Sequence, residues 1–242
     1  MPDVRVVSLV PSLTEAVAAS VPGALVGATD WCTHPAGLGV ARIGGTKNPK
    51  VERIVRLAPD LVLANEEENR EPDLAALREA GLEVLVTEVR NVPQAFSELE
   101  RVVTACGAAV PPRWLEEARD TWSRLPEPTT RKTAVVPVWR RPWMVLGQDT
   151  FAGDVLARLG VDNLYATHPE RYPRIPLPEL RAAAPDLVVL PDEPYRFTAD
   201  DGPEAFEGAR CALVSGRHLT WYGPSLTRAS QVIAEALRAA LR

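Results

Sequence analysis

Apolar positions along the chain fall into two alternating patterns. Short continuous runs, Arg5–Val10, Ala24–Ala28, Leu61–Ala64 and Leu82–Thr87, predict buried strands in the first half. Thr133–Val138, Leu187–Leu190 and Cys211–Val214 do the same in the second. Between them, apolar residues recur at helical spacing. Phe96, Leu99, Val103 and Cys106 form one stripe opened by Pro93. Phe151, Val155, Leu156 and Leu159 form another, capped by Asp149 or Thr150 and stopped by Gly160. Asp73–Ala80 is a predicted helix closed by Gly81, and Ser225–Leu241 a closing helix. Ser12, with Glu15 three residues on, reads as a capping box. Alternating strand and helix imply parallel sheets flanked by helices, an α/β fold.

The alternation occurs twice. Ala58-Pro59-Asp60-Leu61-Val62 returns 126 residues later as Ala184-Pro185-Asp186-Leu187-Val188. Each copy follows a short helical pattern, leads into an apolar run and ends in acid, Asn65-Glu66-Glu67-Glu68 and Pro191-Asp192-Glu193. One long period repeated once predicts two lobes rather than a solenoid. The predicted organisation is an N-terminal lobe 1–108, a linker helix 109–130 and a C-terminal lobe 131–242. Trp114, Leu115, Ala118, Trp122 and Leu125 share one face of that linker, with prolines bracketing it. Ligands of such folds bind near the C-terminal ends of the strands, so the expected site is a cleft between the lobes.

Composition removes several functions. The 242 residues are 46% hydrophobic and 24% charged, which excludes general disorder. The net charge is −5 and no Lys or Arg run stands out, so no nucleic-acid partner is expected. Nothing approaches the ~20 apolar residues of a membrane span. Cys32, Cys106 and Cys211 form no CxxC pair. The apolar run Val6–Val10 is stopped by Pro11 and is too short for a secretory signal. The expected location is therefore the cytoplasm, or the periplasm or cell exterior if an export signal has been removed.

Several stretches resemble a known family. Val6-Val7-Ser8-Leu9-Val10-Pro11-Ser12-Leu13-Thr14-Glu15 is similar to the opening of the helical-backbone metal receptors. These are class III substrate-binding proteins of ABC transporters for cobalamin, haem and iron–siderophore chelates. Gly44-Gly45-Thr46-Lys47-Asn48-Pro49 and the residues through Val62 resemble its most specific region. Gly147-Gln148-Asp149-Thr150-Phe151 and Leu159-Gly160-Val161-Asp162-Asn163 match its second lobe. The resemblance implies two Rossmann-like lobes joined by one helix, with a cobalamin-like corrinoid, haem or ferric siderophore held non-covalently. It also implies an ABC permease as partner, met by one acid on each lobe. Glu71 falls on the first-lobe position with Glu68 as its neighbour, and Thr220 stands at the second, where Glu193 or Glu204 could substitute.

Six Trp against four Phe and four Tyr point to the ligand surface, because Trp faces cover a broad flat ring at low entropic cost. The expected ligand-binding residues are Trp31, Cys32, Asn65, Glu66, Trp139, Trp143, Trp221 and Tyr222, all near strand ends. Arg140 and Arg141 could meet ligand carboxylates, though a solvated turn is the plainer reading. Glu66–Glu68 reads as a solvated acidic loop. No dedicated metal site is expected. A single axial ligand from Cys32, His34, His168 or His218 to a chelated metal is the most the spacing allows. No GxSxG, Walker or GxGxxG motif is present, so catalysis is the poorer class. The readings are a monomeric non-catalytic binding protein, and against it a cytosolic corrinoid- or metal-handling enzyme or chaperone on the same scaffold. An orphan domain whose cleft has filled is the third.

Overall fold

The computed structural model describes residues 4–242. Its contacts divide the chain into two units. Unit 1 holds the described residues through Val89, then Pro93–Arg119 and Tyr222–Pro224; unit 2 holds Arg90–Val92, Asp120–Trp221 and Ser225–Arg242. This division does not coincide with the expected boundaries at 108 and 130. The helix Arg113–Ser123 is shared, its first residues in unit 1 and those from Asp120 in unit 2. A three-residue segment near the C-terminus also belongs to unit 1.

In unit 1 the strands are β1 (Val6–Ser8), β2 (Leu25–Ala28), β3 (Ala41–Arg42), β4 (Leu61–Asn65) and β5 (Val84–Thr87). They pair in parallel in the order β3-β2-β1-β4-β5. The helices are α1 (Pro11–Ser20), α2 (Val51–Arg56), α3 (Glu71–Glu79), α4 (Val92–Ala105) and the start of α5 (Arg113–Ser123). Strands β1 and β4 are buried throughout, as continuous apolar runs in the middle of a parallel sheet should be. The chain order reverses between β1 and β4, and that reversal opens a crevice at their C-terminal ends.

In unit 2, β6 (Lys132–Val135), β9 (Val161–Asn163), β10 (Leu187–Pro191) and β11 (Cys211–Val214) pair in parallel in the order β11-β10-β6-β9. Here the reversal lies between β6 and β10. A separate antiparallel hairpin joins β7 (Pro137–Arg140) to β8 (Trp143–Val145). The helices are α6 (Phe151–Arg158), α7 (Leu177–Ala182), α8 (Gly216–Thr220) and α9 (Leu226–Leu241). Among the described residues no helix is long and apolar enough to cross a membrane.

Two local expectations are corrected. The run Thr133–Val138 is two strands, because Pro137 has no N–H to continue the parallel ladder and instead starts the hairpin. Ser12 is not a cap: Pro11 occupies the first turn with its φ already helical, Val10 precedes it, and Ser12 lies inside α1.

The repeated pentapeptide encodes one piece of geometry in both units. Ala58 and Ala184 each adopt φ 45°, ahead of the proline. The aspartate then reaches sideways to the first strand of its own sheet. Asp60 Oδ2 accepts from the N–H of Arg5 at 2.8 Å, and Asp186 Oδ2 from the N–H of Thr133 at 2.9 Å. Each aspartate thus fixes where the central strand pair begins, and Thr133 and Lys132 hold the Asp186 carboxyl below the usual carboxylate range. Asp60→Ala is expected to cost about 1 kcal/mol, the net worth of one such bond at a partly solvated strand end. Urea denaturation measures it, and an unchanged midpoint would show that the repeat has no such role.

Candidate functional site

In unit 1 the loops after β2 and β4 follow the C-terminal ends of their strands. The loop after β2 carries Trp31, which is 66% exposed. Its backbone is held from below: Arg42 Nη1 donates to the carbonyls of Thr29 and Cys32 at 2.8 and 2.9 Å. The indole lies against Gly45, where a Cβ would stand 3.4 Å from Nε1. The preceding Gly44 has φ 94°, open to glycine alone at low cost, and a Cβ there would meet Asn48 O at 2.9 Å. The Gly44-Gly45 pair therefore gives Trp31 its seat. Cys32 faces the other way. It is fully buried, with Sγ 3.0 Å from Thr14 Oγ1 and 3.1 Å from Thr29 Oγ1, so its expected ligand role is replaced by an internal packing role.

The loop after β4 is built on Asn65, which is buried rather than presented to solvent. Asn65 Oδ1 accepts from the N–H groups of Glu67 and Glu68 at 2.9 and 3.3 Å. Its Nδ2 donates to Thr87 O at 2.9 Å and Thr87 Oγ1 at 3.2 Å, tying the loop to the end of β5. Asn69 adds a second tie: Oδ1 accepts from Asn65 N at 2.9 Å and Nδ2 donates to Thr46 O at 3.0 Å. An asparagine at the strand end can serve both directions because its amide offers an acceptor and two donors. Asn65, expected as a ligand contact, is buried here and bonded to the backbone of its own loop.

That loop is not simply solvated. Glu66 is exposed, but Glu67 and Glu68 are half-buried, and Lys47 Nζ donates to Glu67 O. Burial pushes the Glu68 carboxyl up and Glu67 adds to the rise, while Lys47 opposes it. Glu68 therefore cannot replace Glu71 as an exposed docking acid. A carboxyl raised in the folded state stabilises the fold fully below its unfolded pKa, and that contribution is lost as pH rises through the folded value. Glu68→Gln, fixed neutral, is expected to be more stable than wild type near pH 7, the difference closing as pH falls into the ordinary carboxylate range. Thermal midpoints across that range check it; a constant difference would contradict it.

Tyr222 is the other correction in unit 1. It is 7% exposed, with its hydroxyl hydrogen-bonded to Ser12 and Thr87 beside Glu67 and Glu68. Burial is the main cause, and the two carboxylates a lesser one, of its phenol being held neutral far above the usual tyrosine range. Its neighbour Gly223 passes so close to α1 that a Cβ would stand 3.0 Å from Ser12 O.

In unit 2 the β7–β8 hairpin sorts its aromatics by strand alternation. Trp139 points outward, 42% exposed, and meets Tyr195 edge-on at 5.5 Å. Trp143 points inward: it stacks on Phe197 at 6.1 Å and 8° and meets Phe206 edge-on at 5.3 Å, against the buried core of Val135, Leu180, Val188 and Leu190. Trp143 is thus mainly a core residue, and both tryptophans sit on a hairpin rather than a strand-to-helix loop. Arg140 is not solvated either. Its guanidinium lies 5.5 Å from the Trp143 ring and pairs with Asp201 and Glu204, while Tyr195 Oη donates to Asp201 Oδ2 at 2.7 Å. Arg141 is exposed. Trp221 is buried, its Nε1 donating to Glu193 Oε2 at 3.0 Å with Arg217 over its ring.

Of the expected ligand residues, then, Trp31, Glu66 and Trp139 are exposed, and Cys32, Asn65, Trp221 and Tyr222 are buried. Sequence reasoning gave no site role to Ser12, Thr87, Asn69 and Tyr195; Thr87, the polar residue that closes the apolar run of β5, was the one with a signal. Among the described residues no three His, Cys, Asp or Glu side chains converge as a metal-holding group. Glu71 opens α3, largely exposed, with Oε1 2.8 Å from Arg78 Nη1.

The sequence profile of the periplasmic binding proteins matches residues 6–207, most of the chain. The chain belongs to the periplasmic binding protein family. Relatives in it include the Vitamin B12-binding protein of Vibrio cholerae serotype O1, 24% identical over 195 residues, covering 77% of this chain and 70% of that protein. The Vitamin B12-binding protein of Photorhabdus laumondii is 25% identical over 192 residues with the same coverage. Among solved structures, the periplasmic vitamin B12 binding protein BtuF of Vibrio cholerae superposes with a TM-score of 0.78 at 18% identity, over 100% of this chain and 99% of that one. The periplasmic heme-binding protein BhuT, solved with two hemes, gives 0.77 at 25% identity over 99% of both chains. This member of the family has its two-lobed α/β fold with parallel sheets, and it is a substrate-binding protein.

Proposed function

We propose that the chain captures a corrinoid of the cobalamin type, without covalent chemistry, and delivers it to an ABC permease from outside the cytoplasmic membrane. The observation that carries this reading is one exposed tryptophan in each unit, Trp31 on the loop after β2 and Trp139 on the β7–β8 hairpin, within a family whose named relatives bind vitamin B12. Each indole offers a flat apolar face to a broad ring, and each is held from behind, Trp31 by the Gly44-Gly45 turn and Trp139 by Tyr195. Glu66, exposed on the loop after β4, adds a polar contact to the proposed surface of unit 1. Family membership favours capture over the competing expectation of a cytosolic enzyme or chaperone.

The test is quenching of Trp fluorescence on titration with cyanocobalamin, haem and a ferric siderophore. Saturable quenching by cyanocobalamin supports the reading. Saturation by haem or the siderophore alone would replace the corrinoid with that ligand.

Docking is proposed to be one-sided. Glu71 is exposed, but Thr220 gives its hydroxyl to Gly216 O, Glu193 accepts from Trp221 and Glu204 is paired with Arg140. A single rim charge already shared with Arg78 is worth ~1 kcal/mol or less. Glu71→Lys is therefore expected to weaken binding to a co-encoded permease by no more than about fivefold. Tight binding abolished by that change would show that the acid carries the interface.

A further inference from the structure

Buried polar side chains run without a break across the strand ends of unit 1. From one side, Thr46 O accepts from Asn69, Asn69 from Asn65 N, and Asn65 Nδ2 donates to Thr87. Thr87 Oγ1 donates to Ala64 O at 3.0 Å and is also bonded to Tyr222, whose hydroxyl meets Ser12 at the first turn of α1. Ser12, Asn65, Asn69, Thr87 and Tyr222 are all below 9% exposed. Five polar side chains placed in a unit that small are costly unless each is satisfied, and here they satisfy one another. The chain of bonds begins on Tyr222 and ends on the N–H groups of Glu67 and Glu68, which Asn65 Oδ1 holds. Tyr222 itself comes from a three-residue segment whose flanking residues, Trp221 and Ser225, belong to unit 2.

We propose that Asn65 and Tyr222 are positioning residues, which hold the Glu66–Glu68 loop in its ligand-ready form before ligand arrives, Tyr222 acting on the loop through Thr87 and Asn65. The proposal rests on the reading of this loop as part of the ligand surface. Its physical content is preorganisation. A loop ordered in advance loses no conformational entropy on binding, so a broken network slows association and weakens binding together. The segment Tyr222–Pro224 thereby bears on the loop through Thr87 and Asn65, which is coupling through a contiguous network, in addition to the direct electrostatic effect between its phenol and the Glu67 and Glu68 carboxylates.

The experiment is amide hydrogen exchange on the ligand-free full chain, with Tyr222→Phe and Asn65→Asp. Phenylalanine keeps the ring and removes the hydroxyl. Aspartate keeps the acceptor for the Glu67 and Glu68 amides and removes the donor to Thr87. Each variant is expected to raise exchange at those two amides about tenfold, the ordinary size of such coupling, with the strands β1 and β4 unchanged. In the double variant the effects are expected to be less than additive, because both cut one path. Association with cyanocobalamin is expected to slow about fivefold in each. Unchanged exchange at Glu67 and Glu68, or a uniform rise across unit 1, would overturn the proposal, the second by reducing both residues to stability alone. Failure of wild type to bind cyanocobalamin would remove the corrinoid reading, and the exchange pattern would still decide this one.

Discussion

Gly147→Ala is expected to destabilise unit 2 by at least about 3 kcal/mol, the upper end of overpacking costs. Gly147 follows β8, and the space where a side chain would start is filled by backbone. A Cβ there would stand 2.0 Å from Glu170 O, and 3.1 Å from Glu170 C and Pro173 Cδ. No rotamer relieves this, because the first atom already collides and its neighbour is main chain. Relief requires the segment 170–173 to move away. That segment receives two bonds from the hairpin side: Gly147 N donates to Arg171 O at 2.8 Å and Val145 N to Pro173 O at 3.1 Å. Both would be strained or lost, and Asn163 Nδ2, which donates to Leu146 O at 2.9 Å, sits on the same turn. Gly39 supplies the control, with nothing within 4 Å of its Cβ position. Gly39→Ala should stay within about 0.5 kcal/mol of wild type. Denaturant midpoints for the two variants measure the contrast, and equal midpoints would contradict it.

Trp31→Ala is expected to do the opposite: leave stability alone and weaken ligand binding about thirtyfold, or ~2 kcal/mol. The indole is two-thirds exposed and contributes little to the fold, so the thermal midpoint should move little. Its ring is nevertheless held, by the Gly44-Gly45 turn beneath it and by Arg42 under the loop backbone. An aromatic face that is exposed and already oriented can cover a flat ligand at small entropic cost, which is how interface hot spots arise. Titration calorimetry with cyanocobalamin separates the cases. An unchanged affinity for Trp31→Ala would remove this residue from the ligand surface, while a large fall in melting temperature would show the ring to be structural.

How much of this was legible in the sequence varies by element. Strands β4, β10 and β11 and helices α6 and α9 followed from apolar runs and stripes within a residue or two, since a buried parallel strand needs an unbroken apolar run and a packed helix a stripe. The duplication was legible too, and its meaning became physical in the fold: the same proline, left-handed alanine and aspartate start the central strand pair in both units. The chain's family was legible through local motifs. Which aromatic faces outward was not. Trp139 and Trp143 are four residues apart, in similar company, and alternation about a turn alone sends one out and the other into the core of Phe197 and Phe206.

Sequence by itself determined the two α/β units, the parallel sheets and the kind of side chain gathered at the strand ends, because these depend on composition and spacing along the chain. Only the tertiary structure decided which of those side chains face solvent. Cys32, Asn65 and Tyr222 resemble ligand contacts in sequence because they are polar or aromatic and lie near strand ends. In the fold they turn inward, because the polar groups left at the ends of buried strands must find partners, and beside near ones each has a distant partner, 18 residues away for Cys32, 22 for Asn65 and across nearly the whole chain for Tyr222. No local pattern records a hydrogen bond between residues so far apart, whereas the exposure of Trp31 and Trp139 is what remains once those partners have been found.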